Sequence, residues 1–517
     1  MPLSSRMYKG MDLEQGIKLT SLTDNEPPEL VVDRTMENET GSGNVARWRE
    51  GVRGPWDPNH GTSQKAKVWS TTKPGSFSET AIPGLWPSSF SKEYCCIYRV
   101  PNRLRRVNPE AYTPQMLLIG ALQHSKKAEA LELSKTDSRY LDYMNMERHK
   151  KKYLNGIANI FGKTVEEFRE IIERDEKFIR ESYSESTDWI KSQEFVEMIL
   201  QDSVFILGFF IQMGTQKFNR NEDILFEEPC LITTIFEDLI LLENQLPYAL
   251  LEELFEPFLF SLKTEETFRD LTLRVFGFEN KIERDVKFQH FTDLLRRVRV
   301  ATLGLTEEQA SNAKSEPPKS IKSLHNADKL DSAGVDFENV DKENDLTLVI
   351  DFKDGVLKMP CFTAEDNTER VMRNLMALEQ CHYPFSAYVC NYIAFLDFLI
   401  DTEQDVNLLF KKGVLKNWMG HQGSVAEMVN RLCLGLVDFG SHYQPIAETL
   451  NNHYESPLNR SVATLRRVYF KDLWTGTATV AAVVLLVLTL IQTVASVLQV
   501  TQNNDKSSPP PAPGRGP

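Results

Sequence analysis

The sequence TGTATVAAVVLLVLTLIQTVASVLQV occupies residues 475–500, and no charged residue occurs between Asp472 and Asp505. About 20 predominantly apolar residues in a helix are enough to cross the hydrocarbon core of a bilayer. The alternative is a core helix, but a helix of this length without a polar face would need protein on every side. The stretch therefore predicts one transmembrane helix over residues 477–500, which makes the lipid bilayer a partner of the chain.

The basic residues around this helix predict its orientation. Four Lys and Arg residues lie within residues 460–471, whereas Lys506 and Arg515 are the two that follow the helix. Segments rich in Lys and Arg stay on the cytoplasmic side of a membrane. Residues 501–517 are expected to be a short polar tail, and the first 20 residues lack the apolar core of a signal peptide. We expect a C-terminal anchor in the plasma membrane or endomembrane, with the N-terminal domain in the cytoplasm.

Composition limits the other partners. The 517 residues include 59 basic and 73 acidic side chains, a formal net charge of −14. Nonspecific nucleic-acid binding needs a basic field, so the charge argues against nucleic acid as a partner. The seven cysteines are an odd number without a regular framework. They are expected to be reduced and buried rather than paired in disulfides.

The distribution of apolar residues predicts the domain organisation. Residues 1–90 are rich in Pro, Gly, Ser, Thr and charge, and this composition predicts a largely disordered N-terminal region. One helical domain is expected over residues 91–471. Within it, the polar composition of residues 304–345 predicts a linker or mobile loop. The expected fold class is mainly α, with one large helical domain, a small β-hairpin and a single C-terminal transmembrane helix.

Apolar patterns predict individual helices in this domain. Phe195–Met213 is interpreted as a buried helix rather than a second membrane span, because acidic residues lie near its start. Leu231–Phe255 predicts a helix that is kinked or restarted at Pro247, because proline has no N–H to donate. Ser424–Glu427 has the spacing of a capping box and predicts another helix start.

One segment predicts a β-hairpin. Leu346–Phe352 alternates apolar and polar residues with period two, which is typical of a half-buried strand. Asp354 and Gly355 follow, and these residue types readily adopt the positive φ angles of a tight hairpin turn. Val356–Pro360 then supplies the returning strand.

Clustered carboxylates before Pro247 raise the question of acid–base chemistry, with Glu243 as the candidate. Glu237, Asp238 and Glu243 lie in the same apolar segment, followed by Asn244 and Gln245. The alternative is that the two amides satisfy backbone groups freed at the proline while the acids face water. We favour this structural interpretation, because no His, Ser or Cys partner lies nearby in a recognisable catalytic pattern.

Two further groups of residues resemble binding sites. A scattered metal-like set consists of Cys381, His382, His421, His442 and His453. Its spacings match no zinc pattern, so we expect structural residues, and no metal or cofactor is predicted. Residues 148–152 (RHKKK) could meet phosphate or acidic lipid, but a solvated helix face is the favoured interpretation.

No motif predicts an enzyme. The sequence contains no P-loop, dinucleotide fingerprint, nucleophile elbow or kinase signature. We therefore predict no catalytic residue. The alternative is a membrane-bound hydrolase or transferase of unrecognised type that uses His382 or Glu243.

Several motifs together resemble a known family. They are Ile97–Pro101 with Leu104 and Arg105, Asn108–Pro114 with Ile119 and Gly120, Leu239–Pro247, Asp354–Leu357, and Arg373–His382. Their order and identity resemble the plant family named domain of unknown function 247. The resemblance covers about residues 93–471 and continues into the apolar C-terminal helix.

This sequence departs from the family pattern at two places. Gly120-Ala-Leu-Gln-His124 stands where the family often has Gly-Pro-Phe/Tyr-His-His, and Asp202-Ser-Val204 stands where it often has Asp-Gly-Cys.

The resemblance implies a plant-specific, membrane-associated protein without established catalytic activity, and some members are linked to self-incompatibility in grasses. We expect a membrane-anchored recognition, signalling or protein-interaction component with an unidentified protein partner. A passive scaffold is a further alternative.

Overall fold

The computed structural model describes residues 82–87, 90–161, 165–214, 223–262, 266–279, 281–283, 286–305, 318–340, 346–461, 473–505 and 514. Nearly all of the predicted disordered region, and most of the predicted C-terminal tail, lie outside these ranges. The described part of the chain is mainly helical, which confirms the predicted fold class.

The helices are numbered here in chain order. Those before residue 310 are α1 (Asn102–Arg105), α2 (His124–Leu133), α3 (Leu141–Phe161), α4 (Val165–Glu181), α5 (Ser192–Gly214), α6 (Ile224–Glu227), α7 (Pro229–Leu239), α8 (Tyr248–Leu262), α9 (Phe268–Val275) and α10 (Phe291–Ala301). Those after it are α11 (Ala327–Ser332), α12 (Thr368–His382), α13 (Tyr388–Leu399), α14 (Glu403–Lys411), α15 (Gln422–Leu432), α16 (Gln444–Glu455) and α17 (Leu473–Asp505). Single 3₁₀ turns lie at Glu110–Tyr112, Ala121–Gln123, Ser138–Tyr140 and Pro384–Ser386.

Helix α5 lies at the centre of the N-terminal half, and the prediction of a buried helix is confirmed. Sixteen of its 23 residues are buried, and it packs against α3, α4, α8 and α9. Its aromatic side chains reach neighbouring helices: the Phe210 ring stacks on Phe291 at 5.3 Å, and Phe209 meets Phe236 at 5.7 Å. Burial of such rings is a major favourable term in the folding free energy.

The predicted hairpin is present but shorter than expected. Strands β2 (Asp351–Lys353) and β3 (Val356–Met359) pair antiparallel, and Asp354 and Gly355 have φ angles of 51° and 81°. Residues 346–350 are not a strand. Their alternating apolar side chains Leu346, Leu348 and Ile350 are nevertheless buried in the core. Period-two alternation therefore indicated the buried face correctly, but it did not guarantee a pairing partner.

The expectation of a polar linker or loop over residues 304–345 is wrong in its middle part. Helix α11 and strand β1 (Asp336–Asn339) lie inside it, and β1 pairs parallel with β3. Ala327, Leu330 and Phe337 from these two elements are buried. A short helix or strand needs only a few buried apolar residues to be stable. The polar composition averaged over residues 304–345 therefore did not reveal α11 and β1. Residues 306–317 and 341–345 lie outside the described chain.

Two further strands lie in the C-terminal half. Strands β4 (Phe362–Ala364) and β5 (Leu415–Asn417) pair parallel.

The start of helix α15 differs from the prediction. The capping box predicted at Ser424 is wrong, because α15 begins at Gln422. Its N-cap is His421, whose ring Nδ1 accepts the Gly423 N–H at 3.0 Å. A histidine ring nitrogen can accept an amide proton as a cap hydroxyl does, a role that sequence statistics do not favour.

Helix α17 contains the one stretch of the described chain that is long and apolar enough to cross a membrane. This stretch is Thr477–Thr501, with a mean hydropathy of 2.5, and its most apolar window has no buried residue. The hydroxyls of Thr489, Thr493 and Ser496 donate to the carbonyls four residues earlier at 2.7–2.8 Å. These bonds satisfy the hydroxyls within the helix itself, as a lipid environment requires.

Candidate functional site

The segment between α7 and α8, residues 240–247, is buried although it carries polar side chains. The helix ends at Leu239 and a new one begins at Tyr248, which confirms the predicted restart at Pro247. Glu243, Asn244 and Gln245 are exposed by 5%, 0% and 1%. Because buried backbone groups must be paired, a loop inside a protein needs polar side chains to complete its hydrogen bonds. We call this segment and its partners the polar junction.

The two amides of the polar junction bond only to backbone groups. Asn244 Oδ1 accepts the Ile119 N–H at 2.7 Å, and its Nδ2 donates to two carbonyls at 2.9 Å. Gln245 Nε2 donates to the carbonyls of Leu239 and Leu241, and its Oε1 accepts the Phe291 N–H at 3.0 Å. The prediction that these amides satisfy backbone groups is confirmed.

Glu243 does not face water, which corrects the expectation for the acids. Its Oε1 accepts the Val100 N–H at 2.6 Å and lies 2.5 Å from Nη2 of Arg105, while Oε2 lies 3.4 Å from Nη1 of Arg99. Arg99 in turn pairs with Glu185 through two bonds of 2.6 and 2.7 Å. The Glu243 carboxylate is therefore tied to the first family motif by one amide and two guanidinium groups.

Asp238 is also buried, again contrary to expectation. It is fully inaccessible, and its two oxygens accept the consecutive N–H groups of Gln115, Met116 and Leu117, each at 2.8 Å. Arg370 lies 3.8 Å away. Burial raises the pKa of Asp238 to about 6, while the three N–H groups act in the opposite direction. Both acids hold distant segments of the chain together.

Gly120 fits this junction because it has no side chain. Its φ angle is 77°, and its N–H donates to Asp202 Oδ2 at 2.8 Å. A Cβ at this position would lie 2.4 Å from the Gln245 carbonyl oxygen and 2.7 Å from the Tyr183 hydroxyl. The Tyr183 hydroxyl itself donates to that carbonyl at 3.1 Å. Two of the family motifs, at Gly120 and at Gln245, therefore meet Asp202 at one point.

Asp202 pairs with two lysines, one of which comes from the predicted basic cluster. Lys127 Nζ and Lys150 Nζ both lie 2.8 Å from its carboxylate, and Lys150 is fully buried. The solvated helix face predicted for residues 148–152 is therefore wrong for Lys150, whereas Arg148 and Lys151 are exposed. Lys150 also donates to the Leu118 carbonyl, so its charge is held inside the fold.

The metal-like residues lie in separate places. His382 Nδ1 lies 3.0 Å from the Tyr98 hydroxyl, and burial lowers its pKa. His421 caps α15, His442 packs edge-on to Tyr388, and His453 pairs with Asn459. Within the described ranges, no three His, Cys, Asp or Glu side chains are placed to hold a metal ion. All seven cysteines are described, and each is a free thiol.

A buried histidine that sequence reasoning missed also belongs to the junction region. His290 is 1% exposed, and its Nε2 lies 3.0 Å from the Cys96 carbonyl. Its Nδ1 accepts the Asp293 N–H, so the ring caps α10. Burial lowers the pKa of His290 to about 4, which keeps it neutral at physiological pH. His290 is a single histidine that belongs to no recognisable motif, so the sequence gave no signal for it.

One cavity of about 220 Å³ opens at the surface of the C-terminal half. It is lined by residues of α12 and α13 and by the loop that follows α15, including Cys390, Asp397 and Asp438. Val437 and Phe439, which line it, are 45% and 37% exposed, and the Phe439 ring meets the ring of Phe385, which is 47% exposed, at 5.6 Å. We call these three residues the apolar patch. An apolar surface beside acidic groups suits a protein contact.

A second, wider cavity of about 570 Å³ is lined by α4 and the loop after it. Its charges have both signs, and several of them pair with each other or with neighbours. Arg180 lies 2.7 Å from Glu176, and the lining residue Glu185 pairs with Arg99. It therefore presents no field of one sign that would attract an ion.

These features define a class: an α-helical protein whose domain is held by a buried polar junction and is followed by one exposed, apolar helix of membrane-spanning length. The chain belongs to the family described as plant protein of unknown function, domain of unknown function 247, whose model matches residues 97–488. The matched range extends from the first motif into α17.

Two relatives from Arabidopsis thaliana agree with this assignment. UPF0481 protein At3g47200 is 26% identical over 458 residues, which cover 83% of this chain and 92% of that protein. A second UPF0481 protein, At3g02645, is 32% identical over 165 residues, or 32% of this chain and 31% of that protein. No solved structure matches the chain.

Proposed function

We propose that this chain is a single-pass membrane protein whose helical domain is a recognition or protein-interaction component at the cytoplasmic membrane face. The observation that carries the proposal is the 25-residue apolar stretch of α17, whose most apolar window is entirely exposed. Exposed apolar surface of this extent is unfavourable in water and favourable in lipid. The basic residues at 460–471 support the cytoplasmic orientation.

The polar junction supports a structural rather than a catalytic role for the family motifs. A general base must reach the proton that it abstracts and have a lone pair free to accept it. Glu243 is 5% exposed and is already engaged by the Val100 N–H and two arginines. The His382 ring Nδ1 is hydrogen-bonded to the Tyr98 hydroxyl. Neither residue named in the enzyme alternative gains support from this geometry.

The apolar patch is the surface that we assign to a protein partner. Its neighbour Asp438 is exposed and lines the adjoining cavity, so the complementary partner segment carries an apolar side chain next to a basic one. Anchoring in the membrane raises the effective concentration of a membrane-bound partner without requiring a large interface. The resemblance to a family with members linked to self-incompatibility also suggests a role in recognition.

Deletion of residues 473–517 tests the anchor. The full chain should remain in membranes after alkaline carbonate extraction, whereas the truncated chain should move to the soluble fraction because it lacks α17. A truncated chain that stays in the membrane pellet would contradict the assignment of α17 as the sole anchor.

Recognition is tested by proximity labelling in the native tissue, followed by reconstitution of the leading partner with the purified full chain. Binding should be saturable and should weaken at least tenfold in Val437→Glu, which places a charge in the apolar patch. Leu131→Glu on α2 is the matched control, because Leu131 is also exposed, by 59%. Equal binding by both variants would exclude the patch. Turnover of a small molecule that is abolished by Glu243→Gln or His382→Ala in folded protein would contradict the proposal.

A further inference from the structure

We propose that α17 pairs with a second copy of itself through one polar face. This inference rests on the proposed membrane anchor. Thr489, Gln492, Thr493, Ser496 and Gln499 recur at intervals of three and four residues. In an α-helix, this spacing places them on a single face, which we call the polar stripe. Val483, Val487, Leu490 and Val494 follow the same spacing on the opposite face.

The hydroxyl groups of the polar stripe need no partner, but Gln492 does. Thr489, Thr493 and Ser496 donate to carbonyls of their own helix. Within residues 473–505 as the structure describes them, the side-chain amide of Gln492 makes no hydrogen bond. Gln492 lies near the centre of the apolar stretch, where no water is available. An unpaired amide in hydrocarbon is costly, by several kcal/mol in reference transfer measurements.

A second copy of α17 is the occupant that satisfies this amide. An amide carries both an N–H₂ donor and a carbonyl acceptor, so two Gln492 side chains across a two-fold axis can bond to each other reciprocally. The same face continues toward the N-terminus with Ala478 and Ala482, four residues apart. Small residues at this spacing let two membrane helices approach closely. The branched residues on the opposite face remain against lipid.

Subunit counting on the full chain tests this pairing. The chain, fused to a fluorescent protein after Pro517, is reconstituted into phosphatidylcholine vesicles over a range of protein-to-lipid ratios. Dimers should form, and Gln492→Leu should weaken dimerisation roughly fivefold to tenfold, the range expected for two interhelical hydrogen bonds. Gln492→Asn should retain most of the pairing because it keeps an amide. Val494→Leu, on the opposite face, should leave dimerisation unchanged.

The same vesicles separate failure of the pairing from failure of the anchor. Alkaline extraction reports whether the chain is integrated in the bilayer. An integrated chain that is monomeric at every ratio, or a dimer unaffected by Gln492→Leu, would overturn the pairing and leave the anchor intact. If pairing were seen only after a different membrane helix is added to the vesicles, that result would also overturn self-pairing. A chain that is extracted from the bilayer would overturn the proposed function itself.

Discussion

The Val100 N–H donates to Glu243 Oε1 at 2.6 Å, although the two residues are 143 positions apart in the chain. This bond joins the first family motif to the buried loop between α7 and α8. The same loop bonds to residues 115–123, to α10 and to α12, where Asn374 Oδ1 accepts the Leu242 N–H. The polar junction is thus the place at which both halves of the domain are held in register.

Removing the Glu243 carboxylate should destabilise the domain. Glu243→Ala leaves the buried Val100 N–H without an acceptor and removes the partner of Arg105. The loss should be about 2–3 kcal/mol, less than for a fully buried ion pair because both arginines are partly exposed. Urea denaturation of the purified chain in detergent measures the free energy of unfolding.

Glu132→Ala is the control for this change, because Glu132 is an exposed carboxylate on α2. Its effect on the unfolding free energy should stay within about 0.5 kcal/mol. A Glu243→Ala chain as stable as the control would show that the junction contributes little to stability.

Adding one methyl group at Gly120 should be more disruptive. Gly120→Ala places a Cβ 2.4 Å from the Gln245 carbonyl oxygen and forces alanine to adopt a φ of 77°. Backbone strain and overpacking together should cost about 2–5 kcal/mol. The unfolding midpoint in urea, or the yield of folded protein, reports the loss.

Gly156→Ala is the matched control for Gly120→Ala. Gly156 lies within α3, and a Cβ there meets nothing within 4 Å. Alanine should therefore stabilise the chain by about 0.5–1 kcal/mol through helix propensity. If both alanine variants shift stability in the same direction, the close approach at Gly120 is not a constraint on the fold.

Asp238 should make stability depend on pH. Its folded pKa is raised to about 6, whereas an unfolded aspartate titrates near 3.9. Between these values the folded state holds more protons, so the contribution is fully present below about pH 4 and is lost as pH rises through about 6. Two pKa units correspond to up to about 3 kcal/mol.

Asp238→Asn isolates this effect, because asparagine does not titrate. The unfolding free energy of the native chain minus that of the variant should fall as pH rises from 4 to 7. Asp142→Asn, at an exposed site on α3, is the control for the substitution itself. A native chain that gains stability over the variant with rising pH would mean that the three backbone N–H groups outweigh burial.

The sequence predicted the parts of this fold that depend on local pattern. The continuous apolar residues of α5 and the proline before α8 each determine a local structure, so the buried helix and the restarted helix were predicted correctly. Asn244 and Gln245 were also interpreted correctly, because backbone groups freed at a proline need nearby polar partners.

The errors about the two acids and Lys150 concern contacts between distant residues. The N–H groups that bind Glu243 and Asp238 come from Val100 and residues 115–117, more than 120 positions away. No local pattern shows that these donors exist, so the acids were expected in water. Lys150 was placed on the surface for the same reason, since its partner Asp202 lies 52 positions away. The apolar patch was missed because exposure is a tertiary property.

Glycosylation mapping tests the central claim most directly. In the proposed orientation α17 carries the tail into the lumen, so an acceptor site fused after Pro517 of the full chain should be glycosylated when the chain is translated with microsomes. The native tripeptides Asn38-Glu-Thr and Asn459-Arg-Ser match the same acceptor pattern, and they should remain unmodified because the proposed orientation keeps the domain in the cytoplasm. An unmodified tail with modified Asn38 or Asn459 would reverse the topology. An unmodified tail on a chain that alkaline carbonate extracts would contradict the membrane anchor.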